Sequence, residues 1–178
     1  MGFTLVLASG LIDLSVGYML GMVGIISAIM AVNGVPAVVV IPVSIALGAL
    51  CGLLNSFITQ TFGLQPFIVT LATGMVFQGV NLIVSHSKSI ANLPDWYEEI
   101  GAGKVGVVPI PVIIMIALVI LMYIIIQHTK FGRYALACGG NVNAARVCGI
   151  PTKKIITCVF MLTGACVGLA AILQTGRA

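Results

Sequence analysis

Apolar residues run in five long stretches, at about 14–32, 37–58, 67–84, 111–127 and 155–175, separated by short polar clusters. From Leu14 to Ser87 the chain holds no Asp, Glu, Lys or Arg. One membrane-spanning helix needs about 20 apolar residues, so this uncharged run has room for several. The breaks carry turn chemistry. Asn33-Gly34-Val35-Pro36 separates the first two stretches, and the run from Thr59 through Gly63 to Pro66 separates the second from the third. The pattern predicts an all-α, polytopic transmembrane helix bundle of about five spans. It forms one domain over residues 1–178, and residues 1–12 read as the tail of a further span.

Composition agrees with this reading and removes others. The chain is 60% hydrophobic and 7% charged, whereas soluble globular chains average roughly 25% charged residues. Its eight Lys and Arg residues give a net charge of +4. They concentrate in one loop instead of alternating with aromatics along a groove, which excludes a nucleic-acid role. The five cysteines show no paired metal-ligand spacing and read as small apolar fillers. Met1 leads straight into apolar sequence, so no cleaved signal peptide is expected.

Charge then orients the spans. Five of the eight cations (Lys130, Arg133, Arg146, Lys153, Lys154) fall between positions 128 and 154, beside His128 and with no acid among them. Short loops rich in Lys and Arg stay in the cytoplasm. Alternation then places 85–110 outside, 59–66 inside, 33–36 outside and the Asp13 region inside. The outer loop holds Asp95, Glu98 and Glu99 against Lys88 and Lys104. Its Asp95-Trp96-Tyr97-Glu98-Glu99-Ile100 segment reads as a short amphipathic helix half-submerged at the headgroup level, or as a docking point for an external protein.

Small residues recur at intervals of four: Ser44, Gly48, Gly52 and Ser56 in the second span, Gly164 and Gly168 in the fifth. Such spacing lets helix backbones approach closely in lipid. Gly17, Gly21 and Gly24 share a face of the first span.

Three groups of residues are candidates for chemistry. Asp13 is the one acid beside a span; it either caps or anchors the loop, with Ser15 sharing the work, or serves as a gate or ion-coupling group. Thr70, Gly74, Phe77 and Asn81 form a stripe along the third span, with Thr73 beside them, Gln78 on the flank and Asn55 on the neighbouring span. These uncharged polar groups fit a pathway for a neutral, hydroxyl-rich solute, or simple interhelical bonding. In the basic loop, Asn141 or Asn143 can cap a short helix at about 143–148, Gly149 fits the left-handed position after it, and Pro151 and Thr152 can open the fifth span. A knob of this kind either meets a complementary groove or is a capped connector.

Four segments carry a family resemblance. Ile12-Asp13-Leu14-Ser15-Val16-Gly17, Gln65-Pro66-Phe67-Ile68-Val69-Thr70-Leu71, Phe131-Gly132-Arg133, and Gly139-Gly140-Asn141 through Ala144-Ala145-Arg146 to Gly149-Ile150-Pro151 resemble the ribose/xylose/galactose-type permeases of bacterial ABC importers. The likeness runs through essentially the whole chain, in family order. Branched-chain amino-acid permeases differ around the first motif. One departure is Leu11, where the family has a second glycine before Ile-Asp. The resemblance implies a multi-pass permease subunit of the bacterial cytoplasmic (inner) membrane. That subunit would pair with a second permease subunit, two ABC ATPase subunits that bind the ATP, and an extracytoplasmic sugar-binding protein. It has no cofactor of its own and is not an enzyme. Asn141, Asn143, Ala144, Ala145, Arg146 and Gly149 would belong to the ATPase-coupling helix. Asp13, Ser15, Gln65, Pro66 and Phe67 would form a cytoplasmic gate, and Asn55, Thr70, Thr73, Phe77 and Asn81 would line the substrate pathway. Family members are longer, so the chain reads as a central fragment with flanking spans missing at both ends. The alternatives are an ion-gradient-driven carrier or channel centred on Asp13, and a permease fragment that only inserts.

Overall fold

The computed structural model describes residues 2–86, 88, 90 and 92–177. Nine helices and a two-strand hairpin are seen among them: α1 (Gly2–Ala8), α2 (Val16–Val32), α3 (Ala37–Phe62), α4 (Pro66–Ser85), α5 (Asp95–Ala102), β1 (Lys104–Val105), β2 (Val108–Pro109), α6 (Ile110–His128), α7 (Lys130–Gly140), α8 (Val142–Val147) and α9 (Thr152–Thr175). Helices α3, α4, α6 and α9 are long and apolar enough to cross a membrane, and α2 is an apolar helix of 17 residues. Helices thus occupy all five expected stretches in an all-α bundle, four of them long enough to cross a membrane.

Three boundaries differ from the sequence expectation. The first span begins at Val16, not at 14, because Gly10 through Ser15 leave the helix to form a loop. The expected polar break at 59–66 shrinks to Gly63-Leu64-Gln65, since Thr59, Gln60 and Thr61 continue α3 on intrahelical bonding. The basic loop contains a helix the pattern did not reveal, α7. Thr129 ends α6 in an extended conformation, and its hydroxyl oxygen accepts from Gly132 N at 3.2 Å, starting a new helix after a one-residue turn. A Cβ at Gly132 would run into the backbone of Ile126, so only glycine permits so tight a corner.

The centre of the bundle is the α3–α9 pair. A Cβ on Gly48 would land on the carbonyl oxygen of Gly164; one on Gly52 would strike that of Phe160, and one on Gly168 that of Ser44. The small-residue stripes thus meet each other as helix packing in lipid requires, where close backbone approach replaces a hydrophobic drive. Helices α2 and α4 pack beside this pair around Met19, Val23, Phe77, Val167 and Ala171. Along α6, Met122 is the buried residue and the other side chains present a broad apolar surface suited to lipid or further helices.

The two ends of the bundle are chemically distinct. At one end α7 and α8 carry the basic residues, and Gly139 packs on the carbonyl of Ala8. At the other, Tyr97 of α5 is buried, with its hydroxyl 2.6 Å from Ser27 Oγ, and Gly101 packs on Gly176. Tyr97 therefore ties α5 to the bundle, while Asp95, Glu98 and Glu99 of the same helix stay exposed. The three segments assigned to the inner side by alternation do share one end: the Asp13 loop touches Gly139 through Gly10 and Thr70 through Leu14, and lies beside Gln65.

Candidate functional site

The loop between α1 and α2 is built by two local devices. Gly10, at φ +71, follows α1 in the left-handed region, and its N–H donates to Leu7 O while Leu11 N donates to Val6 O. This is a Schellman ending, whose hydrophobic partner follows the glycine. Leu11 is that partner, buried with Leu5 and Val6. A second glycine there would supply no such anchor, which gives the Leu11 departure a structural role. The chain then crosses under the bundle, and Asp13 and Ser15 close the loop. Asp13 Oδ1 accepts from Ser15 N at 2.9 Å and from Ser15 Oγ at 2.6 Å.

Asp13 does not cap α2 itself: its bonds go to Ser15, one residue before the helix, and Ser15 occupies the cap position without a side-chain cap bond. Instead Ser15 Oγ accepts from Asn55 Nδ2 of α3 at 2.7 Å, and Thr70 Oγ1 of α4 accepts from Leu14 N at 3.1 Å. Asp13, Ser15, Asn55 and Thr70 are all buried. The result is a polar latch that ties the unwound loop to two neighbouring spans. Burial pushes the Asp13 carboxyl above its ordinary value, and the hydroxyl and N–H of Ser15 pull it partway back.

The second expected gate segment adjoins the first. Gln65, Pro66 and Phe67, at the α3–α4 turn, line one small cavity of about 220 Å³ with Gly10, Leu11 and Ile12. Sequence reasoning placed these two segments on the same side; the structure makes them the two walls of one cleft.

The polar stripe of α4 divides in two. Thr73 Oγ1 donates to Val69 O at 3.0 Å, and Thr70 serves the latch, so the half near the basic end has its bonds filled by the protein. Phe77 packs in the core beside Met19 and Val23. Asn81, one helical turn further, carries a buried amide oxygen with no partner among the described residues. Asn55 Oδ1 and Thr59 Oγ1 share that condition on α3.

Helix α8 is capped at both ends. Asn141 Oδ1 accepts from Asn143 N and Ala144 N, each at 3.0 Å, which resolves the choice of cap in favour of Asn141. Gly149 lies at φ +81, and the pair Gly149 N to Arg146 O and Ile150 N to Ala145 O forms a second Schellman ending. Ala145 is buried with Ala135, Cys138 and Ile155, so it seats the helix on the bundle. Asn143, Ala144 and Arg146 are exposed, and so is Val147, at 89%. Val147 was not singled out in the sequence; its signal would have been an apolar residue on the side of the helix opposite its buried alanine.

The described residues thus place a capped, basic helix at one end of an apolar helix bundle, beside a cleft walled by the Gly10–Ile12 and Gln65–Phe67 segments. The chain belongs to the family described as the permease component of branched-chain amino acid transport systems, whose model matches residues 1–177. It is 33% identical over 176 residues to the D-allose transport system permease protein of Escherichia coli K12, covering 98% of this chain and 54% of that relative. It is 33% identical to the galactofuranose transporter permease protein of the same organism, covering 97% of this chain and 50% of the relative. It is 34% identical to the ribose import permease protein of Haemophilus influenzae, covering 99% and 56%. The chain thus spans about half the length of the curated relatives it matches. No solved structure matches it. The resemblance to sugar permeases read from the four motifs is borne out by these relatives, and the chain is a multi-pass membrane protein.

Proposed function

We propose that the chain is the core of a permease subunit of an ATP-driven importer, carrying a monosaccharide such as ribose or a related simple sugar across a bacterial cytoplasmic membrane. Its partners in this reading are a second permease subunit, two ATPase subunits that bind and hydrolyse ATP, and an extracytoplasmic sugar-binding protein. The observation that carries the proposal is α8: a helix of six residues, capped at both ends, seated by Ala145 and presenting Asn143, Ala144, Arg146 and Val147 to the medium. A short connector needs neither a double cap nor an exposed valine. A lever entering a groove on an ATPase needs both, because its backbone must move as a rigid body and its tip must lose water on docking.

The mechanism follows from the bundle. Closure of the ATPase pair displaces α8, and α7, joined to it at Asn141 and packed on α1 through Gly139, transmits the shift to the Asp13 loop. The latch from Asp13 through Ser15 to Asn55, with Thr70 beside it, then opens or closes the cleft walled by Gln65, Pro66 and Phe67. Because closely packed helices rest in discrete arrangements, a small shift at α8 switches the bundle between two states.

The test is charge reversal at the tip, Arg146→Glu with Val147→Asp, in the permease assembled with its ATPase in native membranes. ATP-driven uptake falls at least tenfold while insertion and thermal stability stay unchanged. Uptake that survives both changes refutes the coupling role. The buried Asp13 also suits a second reading, an ion-gradient-driven carrier. Uptake that outlasts ATP depletion but collapses with the proton gradient would favour it.

A further inference from the structure

An open apolar groove of about 490 Å³ runs along the bundle where α3, α6, α7 and α9 adjoin. Ala49, Ile125, Phe131, Met161, Leu162 and Ala165 line it, together with the exposed Cys158. We propose that this groove holds an acyl chain of a phospholipid with a net negative headgroup, and that Lys154 and Lys130 at its mouth bind the lipid phosphate. The inference needs only that the chain is a membrane protein, and it is independent of what the bundle transports.

Three observations carry it. The first is the shape and chemistry of the groove. Its volume is within the range of small-molecule sites, roughly 300–1,000 Å³, and its described lining holds no charged residue. On α9 the lining follows one stripe, Cys158, Met161 and Ala165, at steps of three and four. Helix α9 starts at Thr152, and at 1.5 Å per residue the stripe lies about 9–20 Å along it. That path leads from the end of the bundle to about the middle of a hydrocarbon core roughly 30 Å thick. A single lipid chain follows the same path.

The second is where the cations stand. Lys154 precedes Cys158 by four residues, which places it on the same stripe one turn nearer the basic end. Lys130 opens α7 immediately before Phe131. Both lysines are exposed. A lysine lays its methylenes along apolar surface while its ammonium reaches the headgroup level, and basic pockets between membrane helices hold anionic headgroups.

The third is the missing counter-charge. The chain has four acids. Asp13 is buried and bound to Ser15, and Asp95, Glu98 and Glu99 belong to α5 at the far end. The two lysines therefore meet no carboxylate within the described chain. A second copy supplies none either. Paired about a two-fold axis along the membrane normal, it would bring its own basic end to the same level and set lysine against lysine. An anionic lipid brings the charge and the apolar chain in one molecule.

The experiment is tryptophan quenching by bromine-labelled lipids, with the chain reconstituted in nanodiscs. Trp96→Phe removes the one native indole, and Met161→Trp puts one in the groove. Ile120→Trp, on a different face of α6 from Ile125, is the comparator. The probes are phosphatidylglycerol and phosphatidylcholine, each with a brominated chain, titrated into unlabelled phosphatidylcholine. The association constant for phosphatidylglycerol relative to phosphatidylcholine is at least ten in the Met161→Trp chain and close to one in the Ile120→Trp chain. Adding Lys130→Gln and Lys154→Gln lowers the groove value at least tenfold, about 1.4 kcal/mol. Quenching by brominated phosphatidylcholine, which reports that the groove keeps its shape, stays the same. The inference is overturned if the groove prefers neither lipid, which makes its occupant ordinary boundary lipid, or if the preference survives loss of both lysines. It is also overturned if neither brominated lipid quenches the groove indole, which means that a second copy or another protein segment fills the groove.

Discussion

The Ser15 hydroxyl holds the latch at two points, and removing it gives the sharpest test of how the loop is held. It donates to Asp13 Oδ1 at 2.6 Å and accepts from Asn55 Nδ2 at 2.7 Å, with all three residues buried. Ser15→Ala therefore deletes a hydrogen bond to a carboxylate, worth about 1.5–3 kcal/mol, and strands a buried amide, at about 1–3 kcal/mol. The Asn55 amide would then be unpaired at nitrogen as it already is at Oδ1. Together the loop should lose about 3–5 kcal/mol of local stability. The assay is amide hydrogen exchange of the peptide over residues 9–19 in nanodiscs, since the Leu14 and Ser15 N–H groups donate to Thr70 and Asp13 within the loop. At 1.4 kcal/mol per tenfold, local opening speeds exchange by about two orders of magnitude or more. A second change separates polar pairing from mere volume. Asn55→Leu keeps the shape of the side chain and removes the stranded amide, so the Ser15→Ala/Asn55→Leu double variant should recover about 1–2 kcal/mol relative to the sum of the singles. Exchange within threefold of the parent in Ser15→Ala, or strict additivity in the double variant, would refute the bridging role of Ser15.

Further outcomes follow from other parts of the bundle. Because burial raises the Asp13 carboxyl in the folded loop, the native state binds more protons than the unfolded one; its contribution is complete below the unfolded value of 3.8 and is lost as pH rises through the raised folded value. Loop protection should therefore fall from acid towards neutral pH, and Asp13→Asn should flatten that slope. Gly48→Ala drives a methyl group into the Gly164 carbonyl, so α3 and α9 must part at a cost of about 1–3 kcal/mol; Gly79→Ala, with open space around it, leaves the thermal midpoint unchanged. Asn141→Ala should cost α8 about 1 kcal/mol through loss of its cap, and Gly149→Ala about 1–2 kcal/mol at a left-handed backbone position. Both would appear as faster exchange over 142–147 without loss of the spans.

How much of the site was legible in the sequence depended on the range of the forces involved. The α8 cap and its glycine ending could be read directly, because Asn141 and Gly149 act on backbone groups within a few residues of themselves. The Asp13–Ser15 pair was visible as a pair for the same reason. Its bond to Asn55, 40 residues away, was not, and neither was the role of Thr70 in holding Leu14. Helix α7 was missed because Thr129 and Gly132 turn the chain within one residue, a corner that leaves little trace in hydropathy. The contact between Tyr97 and Ser27, 70 residues apart, was not visible either.

The sequence by itself determined that this chain spans a membrane several times, because an uncharged apolar run of that length cannot be hydrated, and that one end of the bundle is basic. It also determined the family, through short motifs that keep their spacing. Only the tertiary structure decided which of its polar groups find partners in neighbouring elements and which do not. Thr70, Thr73 and Asn81 are one kind of residue on one helical stripe; the first two are filled by neighbouring backbone, and the third has an oxygen left over. Thr73 bonds to the Val69 carbonyl of its own helix, but Thr70 meets Leu14 of a distant loop, a partner that the order of residues along α4 does not encode.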